Sequence, residues 1–165
     1  MRTRVIGFII LAIIGFTISE CSSADRNDSG DIVKSGDVKA SDTRVGDCFN
    51  ELPADGETFS SVKAVPCNEA HKWQLYYRGT STLSSFSEGE VRQQTVEICK
   101  DTVINLFNQM SAIKYDAFKN AELGYFYPTS DSWTSFDDRK LECLVGSDVE
   151  TYFTSVFDES LNDNS

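Results

Sequence analysis

Residues 87–110, SEGEVRQQTVEICKDTVINLFNQM, decide the fold that this sequence predicts. Apolar or small residues recur there every three or four positions, and Val91 and Cys99 belong to the stripe that they form. That spacing is typical of an amphipathic helix with one buried face. Ser87 and Glu90 stand three residues apart, as in a capping box, so we expect the helix to begin there.

Alternating stretches on both sides of this helix indicate strands. Trp73, Leu75 and Tyr77 alternate with more polar neighbours, which is the pattern of a half-buried strand. Strand-like stretches also occur at 44–50, 61–67, 121–127 and 140–145. The sequence therefore predicts an α+β domain, a small antiparallel sheet covered by one long helix.

The first 21 residues have the pattern of an export signal. Arg2 and Arg4 precede an apolar run at 5–18, which is shorter than the roughly 20 residues that span a bilayer. The segment ISEC at 18–21 resembles a bacterial lipobox, so we expect Cys21 to carry a lipid. An uncleaved membrane anchor and ordinary cleavage after 22–24 stay open. All three possibilities predict an extracytoplasmic domain. A lipid on Cys21 or an uncleaved anchor would also attach the domain to the cell membrane.

Composition divides the rest of the chain into three parts. Residues 22–43 are rich in Ser, Asp, Gly and Lys and contain no aromatic residue, which predicts a flexible linker. Residues 44–157 carry the patterns of a folded domain. The acidic residues 158–165 are expected to fray.

The remaining cysteines are even in number, which predicts two disulfides in an exported domain, with three possible connectivities. Cys99 lies on the helix stripe and Cys143 on the apolar side of the last strand, so these two are expected to pair. Cys48 and Cys67 then form the second bridge. A metal site built from Cys48, Cys67 and His71 is the alternative, but it lacks the close cysteine pair of structural zinc sites. We therefore expect no metal and no cofactor.

The charge balance narrows the function. The chain has 26 acidic and 15 basic residues and a net charge of −11, which argues against nucleic acid and anionic lipid surfaces as ligands. Its single histidine leaves little room for Ser-His-Asp or Cys-His catalysis. These counts favour a binding protein over an enzyme, and no catalytic residue is assigned.

The alternative function is a cell-wall glycan hydrolase or an envelope sensor. Asp137 and Asp138, with Asp131 and Glu142 nearby, would have to supply the two carboxylates of a hydrolase. In a chain with 26 acids such neighbours arise readily by chance.

Aromatic residues provide the candidate binding surface. Strand alternation places Trp73, Tyr125 and Tyr127 inward. It places Tyr76 and Phe126 on the opposite face, and Trp133 follows in a loop. Tyr76, Phe126 and Trp133 are therefore candidates for one exposed patch that binds a protein or a glycan. Core packing is the alternative for each of them.

Several short motifs occur in a familiar order. They are VGDCF at 45–49, VPCNEAH at 65–71, YPT at 127–129, DR at 138–139 and CLV at 143–145. In this order the chain resembles the septum-formation domain family of exported or membrane-anchored actinobacterial proteins. Ala70, Gln74 and Asp137 depart from the family pattern, and Gln74 replaces a glutamate that is common there. The resemblance implies a cell-envelope domain linked to division or wall processes, with envelope or division proteins or cell-wall glycan as partners.

Overall fold

The computed structural model describes residues 22–54 and 57–157. The predictions for Cys21, the export signal at 1–21 and the acidic tail at 158–165 therefore lie outside the described residues. The strands are β1 (Asp25–Arg26), β2 (Ile32–Lys34), β3 (Gly36–Lys39), β4 (Cys48–Phe49), β5 (Ser61–Val65), β6 (Trp73–Thr80), β7 (Glu122–Phe126) and β8 (Lys140–Gly146). The helices are α1 (Glu88–Asn108), α2 (Ala112–Phe118) and α3 (Ser130–Ser135).

All strand pairs are antiparallel. β1 and β2 form a two-stranded sheet, and the other strands form a six-stranded sheet in the order β3-β5-β4-β6-β8-β7. The α+β class with antiparallel sheets is thus confirmed. The finer expectation of a small sheet covered by one long helix is wrong, because the main sheet has six strands and α1 packs mainly against β6, β7 and β8. The shorter helices α2 and α3 account for further helical residues.

Helix α1 buries the stripe that its sequence pattern predicts. Val91, Thr95, Cys99 and Val103 follow one another at intervals of one turn, and all four are buried. The helix begins after Ser87, as expected, but the expected capping box is wrong because the Ser87 side chain makes no capping hydrogen bond. Acidic residues in the first turn still favour the positive end of the helix dipole.

Both disulfides have the predicted partners. Cys48 is bonded to Cys67 with a Cα–Cα distance of 5.4 Å, and Cys99 to Cys143 with a distance of 5.3 Å. The first bridge joins β4 to the end of β5, and the second fastens α1 to β8. A metal site on Cys48 and Cys67 is wrong because their sulfurs are bonded to each other. Disulfides of this kind are typical of proteins outside the cytoplasm.

The segment 22–43 is folded, which corrects the prediction of a flexible linker. It contributes β1, β2 and β3, and Ile32 and Val38 are buried in the same core as Phe49. A Cβ on Gly36 would lie 2.4 Å from the carbonyl oxygen of Ser22, so the first described residues pack directly on β3. The composition suggested disorder because it averages over the whole segment. In the structure β3 pairs with β5, which provides partners for its backbone N–H and C=O groups, and two apolar residues reach the core.

The last described residues also pack on the domain. The backbones of His71 and Tyr152 exchange hydrogen bonds of 2.9 and 2.7 Å. The Tyr152 ring stacks on Phe118 of α2 with a centroid distance of 4.7 Å. The Gln74 amide donates to Ser155 and accepts from the Val156 N–H, both at 2.7 Å. The segment 147–157 is therefore folded onto the domain.

Candidate functional site

The three aromatic residues expected to share one surface lie in three separate clusters. Tyr76 is only 6% exposed and its hydroxyl donates a hydrogen bond to the carbonyl oxygen of Cys99. Burial raises the pKa of this hydroxyl to about 12. Tyr76 thus fastens α1 to the sheet beside the Cys99–Cys143 bridge, and its assignment to a binding patch is wrong.

Trp133 is also part of the core, not of an exposed patch. It is 5% exposed, and its ring meets Phe86 edge-on at a centroid distance of 5.8 Å. The Arg139 guanidinium lies 3.6 Å from the ring centroid and donates to the Trp133 carbonyl oxygen. Trp133 lies on α3 and packs in a buried cluster with Val91 and Leu141. The sequence had suggested an open loop at this position.

Phe126 remains half-buried and lines an open cleft. Its ring packs against Phe59 with a centroid distance of 4.7 Å. Phe59 precedes β5 and Phe126 ends β7, although β4, β6 and β8 lie between these two strands in the sheet. The contact shows that the sheet curls, which brings the residues before β5 close to the end of β7.

The cleft is a cavity of about 210 Å³ with aromatic walls. Its aromatic lining consists of Phe59, Phe86, Tyr125, Phe126 and Tyr127. A smaller cavity of about 120 Å³ adjoins it and shares the wall formed by Thr58, Phe59, Phe126 and Tyr127. We call the larger cavity the aromatic cleft.

Local structure holds the cleft walls in place. Tyr125 and Phe126 lie on β7, the edge strand of the sheet, and the buried Pro128 follows where the strand has ended. Thr129 then caps α3: its side chain accepts from the Ser132 N–H, and the Ser132 side chain accepts from the Thr129 N–H. The YPT motif at 127–129 therefore turns the chain from the sheet edge into a helix, and all three of its residues line the cleft.

Two carboxylates lie at the rim of the aromatic cleft. Glu57 and Glu88 line it, and both are exposed. The Glu57 carboxylate accepts a hydrogen bond of 3.2 Å from the Ala54 N–H, so it is oriented by its own loop. The described lining contains no Lys, Arg or His, which leaves the rim negative.

Three of the four carboxylates considered for glycan hydrolysis are engaged in structural contacts. Glu142 is buried and accepts hydrogen bonds from Arg78 and from the Thr43 hydroxyl. Asp138 accepts from the Lys140 N–H at 3.1 Å, and the exposed Asp137 pairs with Arg139 at 2.9 Å. The fourth, Asp131, is exposed on α3. Asp138 and Glu142 line the smaller cavity.

His71 lies away from the cleft, beneath the C-terminal segment. It is 1% exposed, and its Nδ1 lies 2.9 Å from the carbonyl oxygen of Glu69. Since a carbonyl oxygen can only accept, Nδ1 carries the proton in this contact. Nε2 is buried and has no hydrogen-bond partner among the described residues. Desolvation lowers the pKa of the imidazole.

A second, wider hollow of about 650 Å³ lies between the β1–β2 turn and the C-terminal segment. The Gln74 amide in its wall is already bonded to Gly46, Ser155 and Val156, and Cys67 is bonded to Cys48. Its remaining lining mixes exposed polar residues, among them Asn27 and Glu69, with exposed apolar ones, among them Val33 and Phe153. The aromatic cleft is the better candidate because it combines concave apolar walls with a few polar groups.

Within 22–54 and 57–157, no three His, Cys, Asp or Glu side chains stand close enough to hold a metal ion. No helix in the same part of the chain is both long and apolar enough to cross a membrane.

Sequence reasoning found one wall of the cleft and missed the others. Phe126 was identified, whereas Tyr125 and Tyr127 were expected to point inward, and Phe59, Phe86 and the two rim carboxylates were not singled out. The aromatic run at 125–127 before a proline was a usable signal. No local signal places Phe59 beside it, because that contact depends on the curl of the whole sheet.

No family model, curated protein or solved structure matches this chain.

Proposed function

We propose that this chain is a non-catalytic binding domain of the cell envelope, and that the aromatic cleft is its binding site. The observation that carries the proposal is the cleft itself, a concave aromatic surface with carboxylates at its rim. Binding sites are commonly concave and largely apolar, with a few polar groups that fix the orientation of the ligand. Phe126, already a candidate from the sequence, forms part of its wall.

The size of the cleft limits what it holds. Pockets for drug-sized ligands have volumes of about 300–1,000 Å³. At about 210 Å³ the aromatic cleft is smaller and suits one side chain or one sugar ring of a larger partner. Envelope or division proteins would offer such a side chain, and cell-wall glycan would offer such a sugar ring.

Placement at the cell surface rests on the disulfides and on the export pattern of residues 1–21. Under this proposal Cys21 carries the lipid and attaches the domain to the membrane. Ser22 already packs on β3, so there is no flexible spacer in the described residues that follow Cys21. The domain would then lie close to the bilayer. A connection to septum formation or wall processes rests on the motif order alone.

Glycan hydrolysis is less well supported. It requires two carboxylates that face each other across a cleft, one of them in an apolar pocket. Glu142 is committed to Arg78 and Thr43, and Asp138 to the backbone of the turn. Their contacts are those of residues that stabilise the fold.

A cross-linking experiment in intact cells tests the proposal. The full chain is cross-linked and purified in its native form, as Thr58→Trp and as Ile104→Trp. Thr58 lines the cleft, so tryptophan there fills it, whereas Ile104 is 56% exposed on α1 and lies roughly 24 Å along the helix from Glu88. We expect one set of envelope proteins or wall fragments with the native chain and Ile104→Trp, and its loss with Thr58→Trp. Equal recovery from all three, or no specific recovery, would contradict the proposal.

A further inference from the structure

We propose that the aromatic cleft binds a cationic side chain, arginine or lysine, presented by a protein partner. This inference rests on the proposed function, since it names the chemistry of the ligand for the same site. Three features of the cleft support it: its charge, its aromatic surfaces and its volume.

The charge of the cleft favours a cation. Glu57 and Glu88 are the charged groups of its described lining. A further carboxylate, Asp138, lines the adjoining cavity, where Lys140 is turned to the carbonyl oxygen of Ala40 at 3.1 Å. The net charge of −11 extends the same sign over the whole chain. An anionic polymer would be repelled, whereas a basic segment would be drawn toward the cleft.

The aromatic rings supply the second interaction. A guanidinium or ammonium group is attracted to the face of an aromatic ring within about 6 Å of its centroid. This chain already contains two such contacts, Arg139 over Trp133 at 3.6 Å and Arg92 over Tyr125 at 5.6 Å. Tyr125 is therefore partly used, and the proposal relies on the half-buried rings of Phe59 and Phe126, which also line the cleft.

The helix ends beside the cleft do not oppose a cation strongly. The N-terminus of α1 carries Glu88 and Glu90 in its first turn, and these offset the positive end of its dipole. At α3 the capping box between Thr129 and Ser132 uses the N–H groups of these two residues, and Asp131 lies in the first turn. The volume of about 210 Å³ fits one long side chain and excludes an extended glycan chain from the interior of the cleft.

Binding of blocked peptides to the full, oxidised chain tests this inference. The probes are the tripeptides acetyl-Ala-Arg-Ala-amide and acetyl-Ala-citrulline-Ala-amide, which differ in charge but hardly in shape, and the neutral disaccharide diacetylchitobiose. Backbone amide resonances of Tyr125, Phe126 and Thr129 report binding. We expect saturable shifts with the arginine peptide, and about fivefold weaker binding of the citrulline peptide.

Variants at the rim provide the matched control. Glu57→Gln/Glu88→Gln retains the size of both side chains and should weaken the arginine peptide about fivefold while leaving the citrulline peptide unchanged. Equal binding of the two peptides, or absence of shifts with the arginine peptide, would overturn the inference. Tighter binding of diacetylchitobiose at the same amides would also overturn it and would identify a glycan site. The proposed function fails separately, if Thr58→Trp leaves the cross-linked partners unchanged.

Discussion

Asp47 illustrates how a single carboxylate joins distant parts of this chain. It is 3% exposed and accepts two hydrogen bonds from the Arg26 guanidinium, at 2.6 and 2.7 Å. It also accepts one from the Arg44 N–H at 2.8 Å. Arg26 belongs to the segment that composition marked as a linker, so the ion pair ties that segment to the start of β4.

Loss of this pair should be costly. We expect Arg26→Ala to lower the free energy of unfolding by about 3 kcal/mol, because Asp47 would be left buried without its countercharge. Lys34→Ala is the control, since Lys34 and Asp25 form an exposed pair worth less than about 1 kcal/mol. Urea denaturation of the oxidised chain measures both. An effect of Arg26→Ala no larger than that of Lys34→Ala would mean that the segment contributes little to stability.

His71 predicts a dependence of stability on pH. Burial lowers its pKa below the ordinary 6.5, because the charged imidazolium is desolvated and the described residues offer no acceptor to an N–H on Nε2. The unfolded chain takes up the proton first as the pH falls, so the free energy of unfolding should decrease below about pH 6.5. It should continue to decrease until the lowered pKa is reached.

Comparison with His71→Gln isolates this effect from the carboxylates, which titrate at lower pH. Chemical denaturation between pH 7.5 and 5.5 should show a steeper loss of stability in the native chain than in the variant. Parallel curves for the two proteins would show that His71 does not titrate differently in the folded and unfolded states.

At the scale of elements, the bridge between Cys99 and Cys143 connects α1 to β8 across 44 residues of sequence. Tyr76 donates to the Cys99 carbonyl oxygen from the neighbouring strand β6. The helix is therefore held on the sheet by a covalent bond and a buried hydrogen bond at the same position.

Removal of this bridge should cost more than removal of the other. Chain-entropy estimates give about 4 kcal/mol for the loop closed by Cys99 and Cys143 and about 3 kcal/mol for that closed by Cys48 and Cys67. We expect Cys99→Ser/Cys143→Ser to be the less stable of the two double-serine variants in thermal unfolding. A greater loss with Cys48→Ser/Cys67→Ser would place the main constraint at β4 and β5 instead.

The sequence predicted those elements whose pattern is local. The stripe of α1, the positions of β6 and β8 and the cysteine pairing all follow from spacing along the chain. The half-burial expected of β6 is wrong, because Gln74 and Tyr76 are buried as well as Trp73 and Leu75. β1 to β3 were missed because Ile32 and Val38 are isolated apolar residues, and only the sheet shows that they reach the core. The predicted strand 44–50 is reduced to Cys48–Phe49, because the Asp47 N–H donates to the Arg44 carbonyl oxygen in a turn that precedes β4.

For the whole molecule, the decisive feature is the curl that brings Phe59 to Phe126. Neither residue shows from its neighbours that it will form a wall of a cleft, so the site was only partly predictable. Tyr76 and Trp133 were wrongly expected to be exposed. Tyr76 is covered by α1 and Trp133 is part of α3, so their burial depends on how these helices pack and does not show in strand alternation.

The central claim is that the aromatic cleft contacts a partner at the cell surface. Photo-cross-linking in intact cells tests it most directly, with benzoylphenylalanine in place of the exposed Ser130 at the edge of the cleft and, in a second protein, in place of Ile104 on α1. The account predicts a discrete covalent adduct from position 130 that is absent from position 104. No adduct from position 130, or the same adducts from both positions, would contradict it.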